Sequence, residues 1–214
     1  MSIAVSSVRP LDHCVFTHPE AWWTTMGNTS SWDRSSTNTP VPIEVVDGAQ
    51  TCVQYVQKNL GIALDYQTET LPVLDHYLRE ARAQGSPHTH ALIASVAGCY
   101  LGELLRARHP LCWEPLAQDQ LLWSLSAPSI TIFPVAMAHV ALVGPKAEKQ
   151  WEVFRFAPPL RQALTRRLQA LPVVSDDEYV APSTRVEVVD MAFEWLEATN
   201  NKHAHDHEPA EPEE

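Results

Sequence analysis

The longest apolar periodicity in the chain follows the turn Ser86-Pro87, and it limits what the chain can fold into. Leu92 or Ile93, Val96 or Ala97, Tyr100 or Leu101 and then Leu104 recur at the three-and-four spacing of one helical face. Arg106 and Arg108 complement the carbonyl end of the helix dipole. The spacing predicts a helix over residues 89–107, and its length and apolar content make it the expected central element.

Helices precede it. Ala49, Val53, Val56 and Leu60, with Gly61 as the stop, predict a first helix from Asp47. A short extended piece, 62–66, leads to a second helix capped by Thr68 or Thr70, with Leu71, Leu74 and Leu78 as its buried stripe. Pro72 fits its first turn, where no amide donor is needed, and Gln84-Gly85 ends it. After Pro110 the texture changes to short β-like runs at 111–114, 121–125 and 130–133, separated by polar or proline-bearing turns. A short helix over 135–143 stops at Gly144-Pro145, an extended piece covers 151–156, and Pro158-Pro159 start a basic helix over 160–171. Residues 172–184 read as an acidic, turn-rich and solvated segment. Val186, Val189, Phe193 and Leu196 then repeat as a final helix, with a strand over 185–189 as the alternative. The expected fold is α+β, with helices packed on a small, mostly antiparallel sheet.

A chain of 214 residues supports one sizeable core. We expect a single α+β domain over 43–200, flanked by an irregular arm and a disordered tail. In the arm, 1–42, Ser, Thr, Asn and Pro favour turns, yet Trp22, Trp23 and Trp32 need cover from the core or from a partner. The tail, 201–214, has too little apolar surface to offset the entropy of ordering.

The formal charge is −11, and residues 203–214 hold five acidic side chains with no Lys or Arg, which leaves the rest of the chain mildly acidic. Only 15 Lys and Arg stand against 26 acids, so nucleic acid is an unsuitable partner. The first residues carry no secretory pattern, and no apolar run is long enough to span a bilayer. The expectation is a cytoplasmic protein without membrane contact. Cys14, Cys52, Cys99 and Cys112 form no CxxC pair and are expected as thiols, with Cys52 and Cys99 on apolar helix faces.

The most structured local signature is GCYLGELLR at 98–106, followed by Trp113 and preceded by LDYQTETLPVLDHYL at 64–78. A strand running into a helix, then a G-x-Y-x-G-E-x-x-R helix and a Trp-bearing strand, resembles a group of uncharacterised bacterial domains. The resemblance covers about residues 50–143; the arm and the tail lie outside it. It implies a small α+β domain, often found near secretion, immunity or other accessory genes, with no catalytic residues to carry over.

Gly98 and Gly102, four apart, clear one helical face for the close approach of another backbone. Each costs about 1 kcal/mol in a helix interior, so a packing or functional reason is expected. Glu103 and Arg106, three apart, can pair on the adjoining face. Neither HExxH, GxSxG nor a Walker loop is present. No cofactor is expected, apart from loose uptake of Zn²⁺ or Ni²⁺ by His203, His205 and His207 in the tail.

These features point to a non-enzymatic intracellular protein that binds another protein, basic in character, as an accessory or immunity-type factor. Its candidate binding residues are Trp22, Trp23, Trp32, Tyr100, Glu103, Arg106 and Trp113. The alternatives are a small hydrolase or metal-dependent enzyme with Tyr100, Glu103 and Arg106 in a pocket beside the helix 89–107, or a metal-buffering protein acting through the tail.

Overall fold

Proline marks the start of most helices in this chain. The computed structural model describes residues 40–146 and 152–206, with side chains as far as residue 201. Pro42 precedes α1 (Ile43–Leu60), Pro72 lies in the first turn of α2 (Leu71–Gln84), and Pro87 and Pro134 open α3 (Pro87–Arg108) and α4 (Pro134–Val143). Pro158 opens α5 (Pro158–Gln169), the single-turn α6 (Asp176–Tyr179) follows, and Pro182 opens α7 (Pro182–Asp206). The first turn of a helix has no intrahelical acceptor for its amides, so a ring with φ already fixed near the helical value fits there without loss.

Four short strands follow α3 in the chain: β1 (Cys112–Trp113), β2 (Leu125–Ala127), β3 (Ile130–Ile132) and β4 (Phe154–Phe156). They form one antiparallel sheet in the order β1-β2-β3-β4, with Trp113 opposite Leu125, Leu125 opposite Ile132 and Ile132 opposite Phe154. The architecture is α+β, helices packed on a small antiparallel sheet. Two residues, Pro128 and Ser129, join β2 to β3, and Ser129 takes a left-handed φ of 69° to close the turn.

Several expected boundaries move. The first helix begins at Ile43, so that Val45 joins Ala49, Cys52 and Val56 on its buried face. Residues 121–125 do not form a strand. Asp119 accepts a hydrogen bond from the Leu121 amide and starts a 3-10 turn over Gln120–Leu122, and the strand begins only at Leu125. The strand alternative for 185–189 also gives way, because α7 is one continuous helix burying Val186, Val189, Ala192 and Phe193 at helical spacing. Residues Asn201–Asp206 continue α7 into the segment expected to be disordered; the arm to residue 39 and residues 207–214 lie outside the described residues.

From Val41 onward the described residues belong to one compact unit. Its centre is α3, which packs chiefly against α1 and α4. Between Val96 and Leu105 every α3 residue is buried except Glu103. A helix covered on all sides is apolar all round, which is why the single stripe read from the sequence understates its burial. Cys52 and Cys99 are buried free thiols, as expected, and burial pushes both up to about 12, which keeps them protonated. Among the described residues no helix is long and apolar enough to cross a membrane.

Polar contacts fix α7 onto this centre. Asp75 of α2 accepts from both the Ser183 amide (3.2 Å) and the Ser183 hydroxyl (2.5 Å), capping the start of α7 from another helix. Further along, Asp190 accepts from Arg108 (2.9 Å) and pairs with His109 (2.7 Å), while the His109 ring stacks on Phe193 at 4.2 Å. Burial pushes the Asp190 carboxyl up, but the hydrogen bonds from His109 and Arg108 outweigh it and hold the group below its ordinary value of 3.8. For Asp75 the balance is reversed: burial outweighs the Ser183 bonds and raises it.

The two carboxylates therefore act in opposite senses. The Asp190 contribution is fully present above pH 3.8 and is lost as pH falls through the depressed folded value. Asp190→Asn is expected to lower Tm at pH 7, with the gap to wild type closing below about pH 4, as read by thermal melts across pH. The raised Asp75 favours the folded state more when protonated, an advantage lost as pH rises through its folded value. Asp75→Asn, whose amide can accept from the Ser183 N–H and donate to its hydroxyl, is expected to match or exceed wild-type Tm at pH 7.

Candidate functional site

The chemistry-bearing residues of the G-x-Y-x-G-E-x-x-R helix meet the rest of the protein at three points. At Gly98 a Cβ would lie 2.4 Å from the Val135 Cα and 2.6 Å from its nitrogen, so the start of α4 crosses α3 backbone to backbone. At Gly102 a Cβ would lie 2.1 Å from Cζ2 of Trp113, so here the space is taken by an indole. The close approach of a backbone is thus realised at the first glycine, and an aromatic side chain fills the second.

Trp113 of β1 is 5% exposed, and its polar edge needs a partner inside the protein. Its Nε1 donates to Oε1 of Glu103 at 2.8 Å. Arg106 closes the other side as a two-pronged fork, Nε to Oε1 at 3.0 Å and Nη2 to Oε2 at 2.9 Å. The expected Glu103–Arg106 pair exists, and it serves to hold the indole, hence β1, against α3. The carboxylate accepts three hydrogen bonds, two on Oε1 and one on Oε2, so its charge is engaged chiefly by Trp113 and Arg106 within the fold.

Tyr100 is fully buried, and its hydroxyl accepts from the backbone amide of Tyr66 at 3.0 Å while the two rings stack at 4.7 Å. Tyr66 has φ 62°, a left-handed conformation that costs a bulky residue about 1–3 kcal/mol unless its surroundings hold it. The Tyr100 hydroxyl and ring hold it. Asp65 ties down the same turn, accepting from the Gln67 amide and the Thr70 hydroxyl.

The four central candidates are therefore brought together but not presented to solvent as a ligand site. Tyr100 and Trp113, expected to bind, are core residues, and only the edges of Glu103 and Arg106 reach water, at 15% and 32% side-chain exposure. The Trp22, Trp23 and Trp32 expectations lie outside the described residues, as do the side chains of His203, His205 and His207. Among the described residues no group of three or more side chains is placed to hold a metal ion. A shallow cleft of about 200 Å³ lies elsewhere, between Asn59 of α1, Tyr77, Glu80 and Ala81 of α2, and Thr89 and Ile93 of α3. Part of its polar rim is engaged within the fold: Glu80 pairs with His76, Asn59 donates to the Tyr55 carbonyl, and the Thr89 hydroxyl bonds that of Ser86.

The surface feature that sequence reasoning missed lies between α5 and α7. Every residue from 169 to 179 is exposed. Val173 is 100% exposed, with Leu171 at 48% and Val174 at 43% beside it, and Asp176, Asp177 and Glu178 follow. The ends of this ridge are fastened. The Ala170 amide donates to the Arg167 carbonyl and Leu171 to Leu168. Ser175 caps α6 by accepting from the Glu178 amide. Arg82 reaches Asp177 at 2.7 Å while its other nitrogens donate to the Ala141 carbonyl. Tyr179 lies over the buried Arg185 guanidinium at 4.1 Å. A signal was present in the sequence: Val173 and Val174 are apolar, yet they lie past the expected helix ending at Leu171 and belong to no helical or alternating pattern.

Two sets of variants test the structural roles. Gly98→Ala is expected to destabilise more than Gly102→Ala, each by about 1–3 kcal/mol or above, because a backbone yields less than an indole. Glu103→Ala leaves the buried Trp113 N–H without its acceptor and is expected to cost about 1–3 kcal/mol, whereas Glu103→Gln keeps an acceptor and costs less. Urea unfolding monitored by tryptophan fluorescence measures all four.

Comparison of the chain with protein-family models, with curated proteins and with solved structures finds no match in any of the three.

Proposed function

We propose that this domain works by binding another protein, as a non-enzymatic intracellular accessory or immunity-type factor. The observation that carries the reading is a contrast. Side chains able to do chemistry on the central helix are tied into the fold, while Val173 stands wholly in solvent beside two other exposed apolar residues. Exposed apolar clusters mark surfaces that other molecules cover. The acidic excess of the chain favours a basic partner, since opposite charge speeds encounter and selects against acidic proteins. A cytoplasmic setting accords with the buried, reduced thiols of Cys52 and Cys99.

Photo-cross-linking in cells tests it. A benzophenone amino acid is placed in turn at Ile43, Ile62, Leu92, Leu122 and Val173, all exposed apolar positions. A discrete protein adduct from at least one position is expected. Absence of any adduct from all five overturns the reading.

A further inference from the structure

We infer that the ridge 169–179 is the docking element, and that its partner is a protein surface with an apolar slot bordered by lysine or arginine. This rests on the protein-binding reading above. The ridge has two parts of different chemistry in fixed order. Its tip, Leu171 to Val174, is apolar and exposed, and its shoulder, Asp176 to Glu178, is acidic and exposed. No lysine or arginine occurs between Arg167 and Arg185, so the shoulder keeps one sign of charge. Arg82 answers only one of the three acids, Asp177, and that carboxylate is itself 64% exposed.

The ridge is also fastened at both ends. The ends are held by the closed last turn of α5, the Ser175 cap, the Arg82–Asp177 pair and the Tyr179–Arg185 stack. With both ends fastened, the tip loses less conformational entropy on docking than a free loop of its length would, so a short apolar tip can suffice for recognition. The shoulder then contributes speed and selectivity, because its field reaches a cationic rim before contact and weakens with salt. A lipid surface fits less well: anionic headgroups repel the same shoulder that a cationic protein rim attracts.

Three designed helical peptides serve as probes against the full-length ¹⁵N-labelled protein: one with a leucine face bordered by lysines, one with serine replacing leucine at equal charge, and one with glutamine replacing lysine on the same leucine face. The leucine–lysine peptide is expected to shift the amide resonances of residues 171–178, and at least threefold more weakly in Asp176→Lys/Glu178→Lys. Val173→Ser/Val174→Ser, changes at exposed positions that leave the melting temperature unaltered, is expected to abolish the shifts. Equal shifts from the serine–lysine peptide, shifts confined to other surfaces, or no shifts overturn the inference. Val173-dependent sedimentation with phosphatidylcholine vesicles, without response to the leucine–lysine peptide, also overturns it in favour of a lipid. A cross-link from Ile43, Ile62, Leu92 or Leu122 alone would leave protein binding standing while this inference falls.

Discussion

The backbone of Val135 lies where a side chain at residue 98 would be, and much of the remaining architecture depends on that approach. It lets α4, itself almost wholly buried, press against α3. On the same face four residues later, Gly102 admits the Trp113 indole, which brings β1 and the sheet behind it onto the central helix. Two glycines thus connect the helical and β parts of the protein. Each gives up helix propensity for a contact that no larger residue allows.

Once an indole is buried there, its N–H must find an acceptor, and that requirement accounts for the single interruption in the buried stretch of α3. Glu103 supplies the acceptor, and Arg106 compensates its charge through a fork at the protein edge. The motif that supplied candidate binding residues is explained by the packing of one aromatic residue. The same logic of satisfying polar groups at the periphery extends to α7, through Asp75 at its start and Asp190 in its middle. It extends also to Arg82, which joins the end of α4 to the short helix within the exposed ridge. The ridge has its shape because the elements beneath it are bonded to the core, while its own apolar tip is bonded to nothing comparable.

Much of the fold was legible in the chain. The starts at Pro72 and Pro158 followed from proline placed where amides lack acceptors, and the stops at Gly61 and Gly144 followed from backbone freedom: both adopt positive φ, 72° and 96°. The strand misplaced at 121–125 shows the limit of local reading, since Leu121 and Leu122 look extended until the Asp119 side chain captures an amide. Of the candidate site, Glu103 and Arg106 could be paired from spacing alone. That Trp113 completes the pair could not, because its position opposite Gly102 is set by how β1 returns against the helix.

The sequence by itself determined the helical and extended segments, the central place of α3 and the acidic character of the chain, because these depend on periodicity, turn chemistry and charge, all local or additive quantities. Only the tertiary structure decided which side chains face water. Tyr100 and Trp113 became core, and Val173 became surface, through contacts between residues distant in the chain. Ser183 meets Asp75 across 108 positions and Asp177 meets Arg82 across 95. No local pattern encodes those meetings, so the exposed ridge they fasten could be recognised only once the fold was in view.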